Sequence, residues 1–550
     1  MNTVILRIAA ALMLLSPLVL VTPVHAETVS ISGFTPTVGY RGATVRVEGS
    51  GFSDVTDARF GVTPATFSVV SDSVLVATIP AGARSGPLSL QSPRGSIASA
   101  DAFTVQADVV LILTDDQRWD ALEFSTLQSE MIAKGTTFSQ AFVPNPMCCP
   151  SRVSILTGRY SHATDVYKNR PPHGGFETFT GDGSDSSTMA TWLRSAGYTT
   201  GFVGKYLNGY GVGDTDYVPP GWDRWVAMAL AGALSGDTGG YYDYTLSVDG
   251  VEVPHGSAAA DYSTDVLAGY ATDFIADAPP QTPLLLYFAP RAPHKPAKVA
   301  TRHTTEFSQL APLDSPSLNE ADVSDKPSYI RSLPSLSSSQ MSNHQAVRRR
   351  HYRALLAVDE ALAAIIHQLQ ENDRLQDTMI VFMSDNGLAF GEHRWNGKEV
   401  PYEESIRVPL IVRYDALSGE AAATEDQMVL NVDIAPTFAE LAGVAATGAQ
   451  GQSLLGILDG SVTTWRTDFL LEHARTSANN VVVPAYCGVR TTSAKYVRYS
   501  DGQEELYDLI ADPFEMQNVA ASPEYAAEKA SLLQRTRELC VPTPPKYAPF

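Results

Sequence analysis

Two adjacent cysteines stand in the string Asn145-Pro146-Met147-Cys148-Cys149-Pro150-Ser151-Arg152, which runs on to Thr157-Gly158-Arg159. Pro150 suits the first turn of a helix, where its missing N–H has no partner to lose. Gly158 suits the stop, because glycine adopts the left-handed cap freely. Cys148 is therefore expected just ahead of a short helix, where free N–H groups and the helix dipole favour an anion. Arg152, one turn later, adds a permanent planar cation. A cysteine at an anion site proposes chemistry; the rival reading is a helix entry beside two buried, inert thiols.

Oxygen ligands come from two other places. Asp115 and Asp116 end an apolar run, and Ser384-Asp385-Asn386-Gly387 ends another. Three carboxylates and an amide suit a hard cation such as Ca²⁺ or Mg²⁺, not zinc. Either motif alone is weak, since Asp and Asn also cap helices and turn corners. Positive and proton-bearing groups follow three further segments: Lys205 after Gly204, His294 in Ala292-Pro293-His294-Lys295-Pro296, and Lys398 at the head of Lys398-Glu399-Val400-Pro401-Tyr402-Glu403-Glu404. A lone lysine or histidine is usually solvated surface or satisfied core. Here each stands just past an expected strand end, the side on which open α/β sheets build their sites.

The elements that must position these residues are legible as texture. Val109-Val110-Leu111-Ile112-Leu113-Thr114 is a continuous apolar run, as a strand buried on both faces requires. Residues 199–203, 284–288, 379–383 and 410–412 read the same way, and helical segments alternate with them, notably the amphipathic stretch 344–370. The expectation is an α/β architecture with a mostly parallel sheet. Residues 27–106 have an all-β texture with Gly/Pro punctuation, 308–339 form a Ser/Pro-rich surface loop at the pocket rim, and the chain is β-rich again from about 465.

Composition bounds the partners. The chain has 550 residues, 44% hydrophobic and 18% charged, with formal net charge −21. Such acidity argues against nonspecific binding to nucleic acid or anionic membranes, so an anionic substrate needs a local positive pocket. Residues 1–26 carry Arg7, an apolar run to Val21 and Val24-His25-Ala26, the pattern of a cleaved secretory signal, with an uncleaved anchor as the rival. A secreted or periplasmic protein is expected. Of four cysteines, Cys487 and Cys540 are the plausible disulfide pair.

The pattern C-x-P-S-R followed by T-G-R resembles the signature of the type I sulfatases, and the Asp-Asp and Asp-Asn-Gly motifs occur in the matching order. The resemblance implies that Cys148 is oxidised to formylglycine by a maturation enzyme, while Cys149 stays cysteine. It assigns metal binding to Asp115, Asp116, Cys148, Asp385 and Asn386, with Ca²⁺ expected and Mg²⁺ the alternative. It assigns catalytic roles to Cys148, Arg152, Lys205, His294 and Lys398. One departure stands out: Leu207 occupies the place where many sulfatases carry a second histidine, and Asn208 follows it. Gly204-Lys205-Tyr206-Leu207-Asn208, Pro220-Gly221-Trp222 and the run 242–250 resemble the N-acetylglucosamine-6-sulfatase and heparan 6-O-endosulfatase branch. Asn208 is then a candidate for binding a substrate hydroxyl. Tyr206, Trp222 and Trp225 are either aromatic faces for a sugar or core residues.

The implied fold is alkaline-phosphatase-like, at 107–464, with a smaller C-terminal β-rich subdomain at 465–550. The segment 27–106 resembles the immunoglobulin-like TIG (IPT) module, through Gly49-Ser50-Gly51-Phe52 and Ile79-Pro80-Ala81-Gly82. The expected substrate is a sulfated glycan or small sulfate ester, first of all 6-O-sulfated N-acetylglucosamine. Two rivals are a phosphonate monoester hydrolase or phosphodiesterase, which shares the signature, and a non-catalytic glycan-binding protein.

Overall fold

A computed structural model describes residues 28–213, 215–229 and 239–547. The leader at 1–26 lies outside the described residues. Ten strands form the central sheet, and its five inner members run parallel: Arg224–Ala229, Thr199–Gly204, Leu284–Ala289, Asp108–Thr114 and Thr378–Ser384, in that spatial order. Antiparallel strands flank them, Tyr244–Val248 at one side and Leu410–Arg413 at the other. The apolar runs become strands because both faces are covered. Val109, Leu111 and Leu113 enter one core cluster while Val110 and Ile112 enter the other, the two-residue alternation of a pleated strand.

Cys148–Thr157, Met189–Ser195 and Ile434–Ala442 supply helices to the first face. Ser263–Asp277 and the 34-residue helix Ser338–Glu371 cover the second. The long helix starts at a capping box, with Ser337 Oγ accepting from Gln340 N–H and Gln340 Oε1 accepting in return. It extends the expected 344–370 stretch by a turn and more at its N-terminus, where polar residues carry no apolar stripe. Segment 308–339 is mainly loop and turn, with one short helix at Ser328–Arg331.

Four antiparallel strands, Asp468–His473, Tyr486–Thr491, Ala494–Tyr499 and Glu504–Asp508, build the C-terminal sheet. Helix Ala526–Leu539 packs on it, and a disulfide joins Cys487 to Cys540. At the other end of the chain, eight strands between Ser30 and Val105 enclose a separate core around Val45, Val47, Phe60, Leu88 and Phe103. This all-β unit docks where the central strands begin. Tyr40 Oη donates to Asp108 Oδ2 at 2.7 Å, and Gly82 N–H donates to Asp377 Oδ1 at 2.6 Å. Among the described residues no helix is long and apolar enough to cross a membrane.

Candidate active site

Parallel neighbours Asp108–Thr114 and Thr378–Ser384 pair in register, Thr114 beside Ser384. The two acidic motifs therefore leave the sheet side by side, with Asp385 N–H donating to Thr114 O at 3.0 Å. Asp116 adopts φ 70°, and its N–H donates to Asp385 Oδ1 at 3.1 Å. Asn386 Nδ2 donates to Asp116 Oδ1 at 2.8 Å. Asp115, Asp385 and Asn386 are fully buried.

The helix Cys148–Thr157 aims its first turn at these oxygens; it begins at Cys148 itself, capped by Met147, and ends at Gly158 with φ 67°. Cys148 Sγ lies 3.5 Å from Asp115 Oδ1, and Lys398 Nζ covers it at 2.7 Å. Lys398 Nζ also donates to Asp116 Oδ1 and, at 3.2 Å, to Asn386 Oδ1. Lys205 Nζ donates to Asp115 Oδ2 at 2.5 Å. Arg152 Nε donates to Asp385 Oδ2 at 2.8 Å, Nη1 donates to Lys205 O at 2.6 Å, and Nη2 is buried without a hydrogen-bond partner. His294 Nδ1 lies 2.7 Å from the Lys295 carbonyl and 3.2 Å from Arg291 Nη2, and its Nε2 lies 3.7 Å from Asp116 Oδ2. The structure thus gathers all nine residues expected at the metal and catalytic centre.

Charge decides protonation here. Burial works to raise Asp115, but Lys205, His294, Arg152 and Lys398 outweigh it and hold the carboxyl well below its usual range. Burial likewise opposes Lys398 and His294 at Asp116, which ends at about 2. Asp385 is raised, by burial and by Asp115 beside it. Burial pushes the Cys148 thiol up to about 12 despite two neighbouring ammonium groups. It pushes His294 down to about 3, against the pull of Asp115 and Asp116.

Donor atoms of Asp115, Asp116, Cys148 and Asp385 all lie within 4.8 Å of one another. One hard cation with ligands at about 2.3–2.6 Å spans that distance, so the residues present fit a metal. The soft Sγ of Cys148 is the one member that does not suit it.

Above the carboxylates opens a cavity of 290 Å³ whose lining includes Asp116, His294, Lys398, His351, Phe390 and Asn479. Asn208 is not part of that lining: its carbonyl accepts from Phe176 N–H at 2.8 Å, and its Oδ1 is buried without a partner. The sugar-platform reading of Tyr206, Trp222 and Trp225 is corrected. They are 3%, 7% and 0% exposed, packed with Phe202 and Tyr287 in the core beside the sheet. Aromatic area beside a buried sheet face is worth more inside than at a wet cleft. Sequence reasoning missed His351, because on the long helix it falls on the apolar stripe, and it missed Asn479, which an unremarkable hairpin brings to the rim.

Carboxylates, an anion-ready helix start and three cations on one end of a parallel sheet define a hydrolase of anionic esters. The alkaline-phosphatase-like sulfatase fold provides this arrangement. The sulfatase family profile matches residues 107–444, and the chain belongs to that family. A profile for the C-terminal part of N-sulphoglucosamine sulphohydrolase matches 391–541, and the IPT/TIG domain matches 30–106. Human N-acetylglucosamine-6-sulfatase is 34% identical over 474 residues, 76% of this chain and 82% of that one. The N-acetylglucosamine-6-O-sulfatase of Bacteroides thetaiotaomicron is 28% identical over 535 residues, 83% and 91% of the two chains. A solved protein in complex with its substrate D-glucosamine-2-N,6-O-disulfate superposes with TM-score 0.67 at 25% identity, over 80% of this chain and 99% of that one. The phosphonate monoester hydrolase of Agrobacterium radiobacter shares the fold, with TM-score 0.61 at 21% identity over 79% and 95%. The protein is a sulfatase and hydrolyses sulfate esters.

Proposed function

We propose that this sulfatase removes the 6-O-sulfate of N-acetylglucosamine units in glycans, with Cys148 converted to formylglycine by a maturation enzyme. The observation that carries the mechanism is Cys148 at the helix start, between the Asp115, Asp116, Asp385 and Asn386 oxygens and the Lys398 ammonium. A thiol raised to about 12 is a poor source of thiolate, and its sulfur mismatches an otherwise all-oxygen donor set. Hydrated formylglycine places hydroxyl groups there instead. Asp115, Asp116, Asp385 and Asn386, with the modified Cys148, would hold Ca²⁺ or Mg²⁺. When bound, the ion acts as a Lewis acid, favouring an oxygen nucleophile at neutral pH.

The chain's own residues do the rest. Lys205 and Arg152 fix the carboxylates through buried charge-assisted bonds and carry positive charge to the reacting end of the cavity. Lys398, which lines the cavity, meets the sulfuryl oxygens as their charge grows. His294 Nε2 faces the same space and delivers a proton to the departing alcohol. The resting imidazole is neutral, and the anionic ester entering beside it stabilises the imidazolium that this step needs. The substrate class rests on the names of the relatives and on the Lys205-to-Asn208 and 242–250 strings. We further infer export, on the leader-like residues 1–26.

Peptide mass spectrometry of active protein from its own host should find Cys148 as formylglycine; full activity with unmodified Cys148 would sink the mechanism. Chelation should abolish turnover and Ca²⁺ or Mg²⁺ should restore it, whereas rescue by zinc alone contradicts the oxygen-donor argument. Comparing kcat/KM on N-acetylglucosamine-6-sulfate, galactose-6-sulfate, an aryl sulfate and an aryl phosphodiester tests the substrate. The assignment fails if the glucosamine ester is the poorest of the sulfates.

A further inference from the structure

The long helix Ser338–Glu371 lays Leu355, Val358, Leu362 and Ile365 against the sheet. One turn toward its N-terminus from Leu355, the same stripe carries a histidine, His351, where the helix passes the carboxyl ends of the strands. His351 is 5% exposed and its ring opens on the reaction cavity, which it lines together with His294 and Lys398. Phe390 holds the ring edge-on, with centroids 5.3 Å apart and planes at 82°. Phe390 is in turn tied to the helix by His344 Nδ1, which donates to its carbonyl at 2.9 Å. The imidazole is therefore oriented by packing. Among the described residues no hydrogen bond ties its nitrogens, and they are open to the cavity rather than sealed from it. A hydroxyl that enters the cavity can therefore take the place of the water that meets them.

We propose that His351 hydrogen-bonds a hydroxyl of the sugar that carries the sulfate, and so acts as a specificity-determining residue of this site. The proposal rests on the reading of the substrate as a sugar sulfate. A neutral imidazole offers one donor and one acceptor, which matches a hydroxyl. The anionic sulfuryl end already has Arg152, Lys205 and Lys398, all cations; His351 is pushed down by burial, to about 4, and stands uncharged. Leaving the chemistry to the cations and assigning the alcohol to His351 accounts for both kinds of group in one cavity. A site built to bond a hydroxyl rejects a substrate that lacks it, because the buried partner is then stranded.

The test uses the full-length, formylglycine-bearing enzyme and its His351→Ala and His351→Gln variants. N-acetylglucosamine-6-sulfate and 4-nitrophenyl sulfate are the two substrates; the aryl ester has no ring hydroxyl. The ratio of kcat/KM for the sugar ester to that for the aryl ester should fall about 10- to 100-fold in His351→Ala, mostly through KM. His351→Gln, which keeps a donor and an acceptor, should recover part of it. Calorimetric binding of N-acetylglucosamine, the uncharged product, should weaken in parallel, and unchanged melting temperatures certify the fold. An unaltered ratio with a sugar-preferring wild type overturns the role of His351 alone. Equal losses on both substrates do the same, since they mark a residue that acts on the reacting centre or on packing. A wild type that turns over the aryl sulfate and no sugar sulfate overturns both this proposal and the substrate reading beneath it.

Discussion

Lys398 and Cys149 mark the two ends of what single residues do here. Lys398 joins three members of the centre, contacting Cys148, Asp116 and Asn386, and it faces the cavity. Its charge counts most as negative charge develops on the departing sulfate, so Lys398→Ala should lower kcat about 10²–10³-fold in steady-state assays. A comparable loss confined to KM would make it a binding residue only. Cys149 shares the motif but not the role. Its side chain is fully buried in the core with Val153 and Leu207, and its N–H donates to Asn169 Oδ1 at 2.9 Å. Cys149→Ala should leave kcat nearly unchanged and lower the melting temperature slightly, the usual result of a small core truncation. Loss of turnover in a folded Cys149→Ala protein would mean that the second thiol takes part in chemistry or maturation.

Between elements, the loops after the sheet are held by the C-terminal subdomain through a buried polar junction. Glu515 Oε2 accepts from Glu403 N–H at 2.8 Å, and Lys495 Nζ lies 2.5 Å from Glu515 Oε1 and 3.2 Å from Glu403 Oε1. His393 Nδ1, five residues before Lys398, donates to Glu320 Oε2 at 2.7 Å in the same region. Burial pushes Glu515 up to about 7 although Lys495 opposes it, with Glu403 and Glu404 adding to the rise. Folding therefore favours protonated Glu515. That contribution is complete below the ordinary carboxylate range and disappears as pH rises through about 7. Denaturant midpoints measured between about pH 5 and pH 7.5 should fall more steeply for the wild type than for Glu515→Gln, whose amide can still accept from Glu403. Parallel slopes would show that Glu515 does not titrate in this window.

At the scale of the whole molecule, the immunoglobulin-like unit and the reaction centre occupy opposite ends of the central sheet. The unit's Tyr40 contacts Asp108 at the start of the strand whose far end leads into Asp115, and Arg374 Nη1 completes the junction at 2.9 Å from Asp108 Oδ1. This arrangement makes the unit a base for the catalytic domain, and among the described residues its hydrogen bonds to that domain include those at Asp108, Asp377 and Ala416, away from the site. Tyr40→Phe removes a bond to a buried carboxylate and should cost about 1–3 kcal/mol in urea unfolding. Turnover of a small aryl sulfate should stay within the error of the assay. A drop in kcat with the fold intact would show that strain at the base reaches the other end of the sheet.

The sequence alone determined the features that depend on local pattern. Continuous apolar runs announce strands covered on both faces, and the helix at Cys148 is marked by Pro150 and Gly158. Lys205, His294 and Lys398 declared themselves by standing just after such strands. What local pattern does not encode is which strands are neighbours. Asp115 and Asp385 lie far apart in the chain, and only the parallel pairing of Thr114 with Ser384 sets their motifs side by side. Burial was equally out of reach: Trp225 and Tyr206 look the same in a string whether they face a sugar or a core, and the packing around Phe202 decided it. His351 shows the converse. Its spacing is that of a core residue, one turn before Leu355, and only the height of the helix above the strand ends turns the position toward the cavity. Spacing along one element fixes which residues share a face; what that face meets depends on elements brought from elsewhere in the chain.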